Sequence, residues 1–309
     1  MNRPPSRVVV KGPPIWYTAM MNRRSILLFA AICLIWGIPY FLIRIAVAEI
    51  TPAVLVFART AIGALILLPV VVARGGLVEI GRRWPFVLAF ALAEIGIPWL
   101  FLFRAEQQIS SSLAGLLVSC VPLVGVGIAP LFGRRERLGT LGIVGLVVGL
   151  AGVAAIVGFD FRASDTGALL GMILVVIGYA TGPAIINRFL GGISSITVNG
   201  VALAACAVAY APAAVLQWPK TLPTVSVLVA VAVLAVVCTA TAFLVFFALI
   251  REIGPVRATV STYVNPAVAA VAGVLVLHEK FTVGMVLGFV LVIGGSILAT
   301  RRAPSPLSR

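Results

Sequence analysis

Long apolar stretches dominate this sequence, and none of them contains more than one charged residue. A helix needs about 20 apolar residues to cross roughly 30 Å of bilayer hydrocarbon. The stretches that meet this requirement are 26–47, 52–73, 84–103, 109–132, 138–158, 167–187, 195–216, 225–249, 256–277 and 281–299. Because 61% of the residues are hydrophobic and only 10% are charged, the chain has too little polar surface to cover a water-soluble globule. We therefore expect an all-α membrane protein with ten transmembrane helices.

The net charge of +14 is distributed unevenly along the chain. If the N-terminus is cytoplasmic, 17 of the 23 basic residues fall in cytoplasmic segments and Arg59 falls within a span. The external segments and adjoining helix ends carry only Arg44, Arg104, Arg162, Lys220 and Lys280. This bias follows the positive-inside rule, so we expect a multi-pass protein of the cell (plasma) membrane with both termini in the cytoplasm. The same distribution argues against nucleic acid as a partner.

An internal repeat relates the two halves of the chain. Pro122 matches Pro266, Glu136 matches Glu279, and matched glycines follow at nine and sixteen residues from each glutamate: Gly145 with Gly288 and Gly152 with Gly295. Since each half has an odd number of predicted helices, five, the second half must enter the membrane upside down. Such inverted repeats create a pseudo-two-fold axis in the membrane plane, with a site near the midplane that can open to either side. The recurring glycines also predict close helix packing, with a dimer contact as the alternative.

The only histidine, His278, stands in the short polar stretch "HEK" between the ninth and tenth apolar segments. In the repeat, Glu279 of this stretch corresponds to Glu136 of "RRERL", which favours a hairpin over a metal or proton site at His278. No serine–histidine, histidine-rich or phosphate-loop pattern appears, and the four cysteines lack CxxC spacing. We therefore expect neither an enzyme nor a bound metal or cofactor.

Several features, taken in order, resemble the drug/metabolite transporter superfamily, specifically its bacterial EamA-type members with ten spans. They are "IWGIPYFLIRIA" in the first helix, "FART" in the second, and the proline–glutamate–glycine–glycine series that ends each repeat. The second half departs from the pattern, because Gly178 follows Ile177 instead of a tryptophan and Asn199 stands where an arginine would be sought. The resemblance implies EamA-like repeats at 25–158 and 167–300, flanked by cytoplasmic tails at 1–24 and 301–309.

Two prolines lie near the middle of predicted spans four and nine. Each removes a backbone hydrogen bond and displaces the carbonyl four residues earlier, that of Val118 or Thr262. Unsatisfied carbonyls in hydrocarbon must face protein or a watery cavity. We predict that Ser119, Tyr263 and Asn265 line a central cavity that binds substrate. The alternative is a kink whose carbonyls are satisfied by neighbouring helices.

Aromatic residues mark the first and sixth helices. Trp36 and Tyr40 are four residues apart and therefore share a helix face, and Tyr179 occupies the sixth helix. Aromatic residues near helix ends usually form an interfacial belt. Trp36 and Tyr179 lie deeper than a belt requires, so these three residues are candidates to bind an amphipathic substrate.

Arg59 and Glu94 are the charged residues that lie deepest in the predicted spans. At about 1.5 Å per residue, both lie roughly 12–14 Å below the outer face, on antiparallel neighbouring helices. A direct ion pair would offset an insertion penalty of about 2.5–3.5 kcal/mol for each charge. The sequence leaves two roles open for this pair, a structural salt bridge or recognition of substrate or protons.

These observations together favour a carrier for small amphipathic metabolites such as amino acids, and the resemblance implies export. A membrane enzyme would need a catalytic constellation that the sequence lacks. A channel or facilitator without ion coupling is the remaining alternative. The expected partners are a small-molecule substrate, the lipid bilayer and, as a candidate coupling ion, the proton.

Overall fold

The computed structural model describes residues 22–133, 140–160, 166–254, 258, 260–280 and 282–300, without the side chains of 157–160 and 300. Its regular elements in those ranges are helices, with no strand. We number the long helical segments α1 to α10: Arg23–Ala46, Pro52–Ala73, Gly76–Ala105, Ser111–Phe132, Thr140–Asp160, Thr166–Phe189, Ser195–Leu216, Val225–Ile253, Ser261–Leu277 and Val283–Thr300. The predicted cytoplasmic tails and the loop containing Glu136 lie largely outside the described residues.

Seven of these segments in the described part of the chain are long and apolar enough to cross a bilayer: α1 to α4 and α6 to α8. The other three, counted over Thr140–Ile156, Ser261–Leu277 and Val283–Ala299, are shorter apolar helices. Large apolar side chains such as Leu65 and Val215 are exposed on the outside of the bundle. An apolar outer surface is what a helical protein presents to lipid, so the all-helical membrane fold expected from the sequence is found.

Several helices are interrupted where prolines or wide turns occur. The first segment divides into Arg23–Gly37 and Pro39–Ala46, and α4 breaks at Ser119 and Cys120, just before Pro122. The third helix of each half contains one π-helical stretch, Ala91–Gly96 in α3 and Val236–Thr241 in α8. A π turn holds more residues than an α turn and is frequently found at functional sites.

Helices of the first half pack against helices of the second in matching pairs. The second helix of one half packs along the second of the other, α2 on α7, and α5 packs along α10 in the same way. Contacts of α1 with α8 correspond to contacts of α6 with α3, and contacts of α1 with α9 to contacts of α6 with α4. Exchanging the two halves therefore preserves the pattern of neighbours.

Glycines bring the backbones of α5 and α10 into contact. A Cβ atom added to Gly145 would lie 2.4 Å from the Ala299 nitrogen, and one added to Gly295 would lie 2.4 Å from the Gly149 nitrogen. Gly152 and Gly288 meet in the same way, with 2.7 Å and 2.6 Å from the added Cβ of each to the carbonyl oxygen of the other. The close helix packing predicted from the glycine spacing is confirmed at these positions.

Polar contacts gather at the two ends of the bundle. One end, which we call the Glu106 end, joins Arg44, Glu49, Glu106, Ser111, Thr224 and Glu279. The opposite end, the Glu252 end, joins Asn22, Arg24, Glu79, Arg83, Gly191, Ser194 and Glu252. Consecutive helices from α1 to α4 run from one end to the other in alternating directions.

Candidate functional site

Arg59 lies in α2 and is buried, with only 6% of its surface exposed. Its Nε donates a hydrogen bond to Thr239 Oγ1 at 2.8 Å, and Nη2 donates to the Cys238 carbonyl at 3.4 Å. Both acceptors belong to the π-helical stretch of α8, where the Thr239 hydroxyl donates to the Leu234 carbonyl at 2.9 Å. The wide turn of α8 therefore provides the polar atoms that hold a buried guanidinium.

Aromatic side chains surround the same guanidinium. Arg59 Cζ lies 3.8 Å from the centroid of the Trp99 ring on α3. A desolvated cation over an indole contributes about 2 kcal/mol or more. The hydroxyls of Tyr40 on α1 and Tyr179 on α6 lie within electrostatic range of Arg59. We call Tyr40, Arg59, Trp99 and Tyr179 the Arg59 cluster, which draws on four different helices.

Glu94 does not form the ion pair with Arg59 that the sequence predicted. Its Oε2 atom is buried without a hydrogen-bond partner among the described residues, while Arg59 is bound to α8 and Trp99. The carboxylate faces α6, where a Cβ on Gly182 would lie 2.0 Å from Oε2. The prediction of a direct pair was wrong because the spacing gave a common depth but not the direction of each side chain, and Glu94 lies within a π-helical stretch that rotates its side chain relative to a regular helix.

The aromatic candidates of α1 and α6 separate into two environments. Trp36 packs against Phe243 and Phe246 of α8, with ring centroids 6.5 Å and 4.7 Å apart. Tyr40 and Tyr179 instead belong to the Arg59 cluster, and Tyr179 also lies within electrostatic range of Glu94. The structure thus brings together Tyr40, Arg59 and Tyr179, with Glu94 beside Tyr179, and leaves Trp36 in a separate aromatic contact.

The candidates next to the two matching prolines differ in their surroundings. The buried Ser119 donates its hydroxyl hydrogen to the Leu116 carbonyl. Its hydroxyl therefore forms a hydrogen bond within α4, at the point where this helix breaks. Asn265 is also buried, and its Oδ1 has no hydrogen-bond partner among the described residues. Its backbone carbonyl lies beside Gly37 of α1, while Tyr263, two residues earlier near the start of α9, is partly exposed.

Glu106 is a buried acid that lies just beyond the third apolar stretch, 84–103, and was not among the residues predicted for the site. It immediately follows α3 and is fully buried, and neither side-chain oxygen has a hydrogen-bond partner among the described residues. Desolvation by burial raises the pKa of Glu106 well above the usual range for a glutamate; the charge of Glu279 acts in the same direction, and Arg44 and Arg59 act in the opposite one. Its seven-residue spacing from Trp99 places both on one face of a helix, a signal that could have identified it.

The Glu106 end of the bundle is held together by hydrogen bonds between connecting segments. Arg44 Nη1 donates to the carbonyl oxygens of Glu106 and Ile109. At the same end, the Thr224 hydroxyl and backbone nitrogen donate to Glu49 at 2.6 Å and 2.7 Å, and these bonds lower the pKa of Glu49. The contacts tie the end of α1 to the connections that precede α4 and α8.

Glu279 joins the connection after α9 to the first turn of α4. Its carboxylate accepts hydrogen bonds from the backbone nitrogens of Ser111 and Ser112 at 2.8 Å and 2.9 Å, and from the Ser112 hydroxyl at 2.6 Å. An anion at a helix N-terminus is stabilised by the free N–H groups and the helix dipole. His278 ends α9 in a left-handed conformation, with φ of 55°. The polar stretch is thus a helix-ending turn, in keeping with the hairpin interpretation.

A cavity of about 380 Å³ opens toward the Glu252 end of the bundle. It is lined by Gly125, Ala129, Phe132, Gly133, Ala180, Pro183, Ala184, Asn187 and Arg188, which belong to α4, α6 and the turn after α4. Ala180 in its wall adjoins Tyr179 of the Arg59 cluster. Polar contacts join segments at both ends of the bundle, and this cavity lies at the Glu252 end.

An all-helical bundle with an apolar exterior and buried polar residues defines a multi-pass membrane protein. The model of the EamA-like transporter family matches residues 23–158 and again residues 166–301. The chain belongs to this family, within the drug/metabolite transporter superfamily, and it is a membrane transporter. The resemblance noted from the sequence is thereby confirmed.

Relatives in bacteria carry transporter names. The chain is 26% identical to "Uncharacterized transporter YvbV" of Bacillus subtilis, over 91% of this chain and 92% of the relative. It is 29% identical to "Uncharacterized inner membrane transporter YedA" of Escherichia coli K12, over 79% of each. A solved crystal structure of another protein, 22% identical, matches with a TM-score of 0.64 over 89% of this chain and 96% of that one, which supports the fold.

Proposed function

We propose that this transporter moves small amphipathic metabolites, such as amino acids, out of the cell by alternating access between two inverted repeats of five helices. The observation that carries the proposal is the duplicated family match together with the matched packing of helices across the halves. When the contacts between helices stay the same on exchange of the two halves, the bundle has two related arrangements, each open to one side. In this proposal all ten helical segments cross the membrane.

The unequal ends of the bundle support a conformation that is open to the cytoplasm. In this proposal the Glu252 end, with its cavity, faces the cytoplasm and the Glu106 end faces outside, an orientation that the charge distribution supports. Hydrogen bonds from Arg44 and to Glu279 then close the outer side. A substrate entering from the cytoplasm would pass Ala180 and approach Tyr179.

The Arg59 cluster supports recognition of a compound that carries an anionic group and an apolar part. A guanidinium can bind a carboxylate through two parallel hydrogen bonds, and the rings of Tyr40, Trp99 and Tyr179 supply apolar surface. Glu94, whose Oε2 has no partner among the described residues, could accept from an amine of the same substrate. Asn265 and Tyr263 line the path near α9 in this proposal, while Trp36 and Ser119 support the helices around it.

Counterflow in liposomes tests this function. Liposomes that contain the purified protein are loaded with one unlabelled amino acid at a time. Accumulation of the same labelled compound against its gradient is then measured, with and without a proton gradient. We expect counterflow for at least one compound, its loss in Arg59→Gln, and its retention in the matched control Arg104→Gln, an exposed arginine outside the cluster. Ionic conductance without counterflow would support a channel instead.

A further inference from the structure

We propose that Glu106 is a proton-binding site that controls the outer seal: the seal closes when the carboxyl group is protonated and opens when it is ionised. This inference rests on the proposed alternating access, in which the Glu106 end faces outside. The ligand is a proton because the side chain is fully buried, without contact with solvent in the closed arrangement.

The surroundings of Glu106 favour its neutral form while the seal is closed. Neither carboxyl oxygen has a hydrogen-bond donor among the described residues. The two nearby arginines are already bound elsewhere, since Arg44 donates to backbone carbonyls and Arg59 donates to Thr239 and Cys238. A buried carboxylate that lacks a donor is strongly destabilised relative to one in water.

Charged and titratable groups reach Glu106 from several elements. Tyr40 and Arg44 face it from α1, Arg59 from α2, Tyr179 from α6 and Glu279 from the connection after α9. Glu279 repels a second negative charge and so acts in the same direction as burial, and burial, the largest of these effects, outweighs the attraction of the arginines. Ionisation of Glu106 therefore shifts the balance toward an arrangement in which the carboxylate reaches water.

Exposure of Glu106 requires the outer seal to separate. The backbone carbonyl of Glu106 accepts a hydrogen bond from Arg44. A few residues further on, the backbone nitrogens of Ser111 and Ser112 donate to the Glu279 carboxylate. These contacts join α1, the connection before α4 and the connection after α9, the segments that would part when the outside opens. Closing the seal again takes up one proton from external water, which forms the O–H bond of the Glu106 carboxyl group.

The expected pH dependence follows from the two states. In the open state Glu106 is in water and has an ordinary acidic pKa, whereas in the closed state burial raises its pKa. The contribution of Glu106 to the stability of the closed state is therefore fully present at low pH. It is lost as the pH rises from the open-state pKa to the closed-state pKa. Between the two pKa values the open fraction grows about tenfold per pH unit.

Labelling of a cysteine beside Glu106 tests the proposal without any substrate. Ala105 is 1% exposed, so Ala105→Cys should react with an impermeant maleimide added outside only when the seal opens. Leu222→Cys, at a position 95% exposed at the same end, corrects for the pH dependence of the thiol itself. Mass spectrometry separates the label from the four native cysteines, which are all buried.

We expect the corrected labelling rate at residue 105 to rise as external pH increases. Adding Glu106→Gln, which is neutral at every pH, should make the rate low and independent of pH, while the neighbouring exposed control Gln108→Ala should keep the rise. If Glu106→Gln folds poorly, Glu106→Leu replaces it. A flat rate without the Glu106 substitution, or the same rise in both neutral variants, would overturn the proton site.

The labelling result and the transport result are separable. Counterflow with a pH-independent seal would reject the proton site and keep the proposed function. A pH-dependent seal that requires Glu106, in a protein that shows no counterflow for any compound, would keep the proton site and reject the carrier.

Discussion

The guanidinium of Arg59 lies over the indole of Trp99, with 3.8 Å between Cζ and the ring centroid. Because Trp99 is on α3 and Arg59 on α2, this contact ties together two helices of the first half, and the hydrogen bonds of Arg59 to α8 extend it to the second half. Movement of one half against the other would therefore change the contacts of this buried charge.

Replacing Arg59 with lysine tests this contact. Lysine keeps the charge but loses the planar group that stacks on Trp99 and donates to Thr239. We expect Arg59→Lys to lower the free energy of unfolding by about 1–2 kcal/mol and to reduce transport strongly. Thermal unfolding in detergent and counterflow in liposomes measure the two effects. An unchanged unfolding temperature would show that the stacking contributes nothing, and Arg104→Lys serves as the exposed control.

Neutralising Glu94 and Arg59, singly and together, tests whether the two side chains form a direct ion pair. Partners of a buried ion pair show strong coupling, because a single substitution leaves one charge unpaired. Since Arg59 is bound to α8 and not to Glu94, we expect Glu94→Gln and Arg59→Gln to be nearly additive, with a coupling energy below about 1 kcal/mol. Recovery of stability in the double variant would contradict the arrangement described here.

The contrast between these two residues shows what the sequence could and could not predict. Hydropathy and the glycine spacing predicted the helical membrane fold and the contact of α5 with α10, because both depend on properties repeated along a helix. The partner of Arg59 depends on rotation about the helix axes, which the π-helical stretches of α3 and α8 alter. Glu106 was missed because its position just beyond a predicted span did not reveal its burial, although its seven-residue spacing from Trp99 placed the two on one helix face.

The bonds of Glu279 to the start of α4 predict a stabilising role for that carboxylate. Glu279→Gln removes the negative charge and can no longer accept from Ser111 and Ser112 with both oxygens. We expect a loss of about 1–2 kcal/mol in the free energy of unfolding, as for the loss of a charged helix cap. The exposed neighbour Lys280→Gln should change it by less than about 0.5 kcal/mol. Equal effects of the two substitutions in thermal unfolding would contradict this role.

Substitution of a contact glycine tests the packing of α5 against α10. A methyl group at Gly152 would lie 2.7 Å from the Gly288 carbonyl oxygen, so the helices must move apart. We expect Gly152→Ala to lower the free energy of unfolding by about 1–3 kcal/mol. The control is Gly127→Ala in α4, where an added Cβ meets nothing within 4 Å. Thermal unfolding of both variants gives the comparison, and equal stabilities would show that the contact does not contribute.

Membrane topology can be tested at the two ends of the bundle with single cysteines. Lys280 belongs to the turn that joins the Glu106 end, whereas Arg82 lies beside Arg83 at the Glu252 end. Both side chains are exposed, so cysteines there should react readily without disturbing the packing. In intact cells an impermeant maleimide should label Lys280→Cys and not Arg82→Cys, and inverted membrane vesicles should show the reverse. Labelling of both positions from one side would contradict the alternating passage of the helices and, with it, the inverted relation of the two repeats.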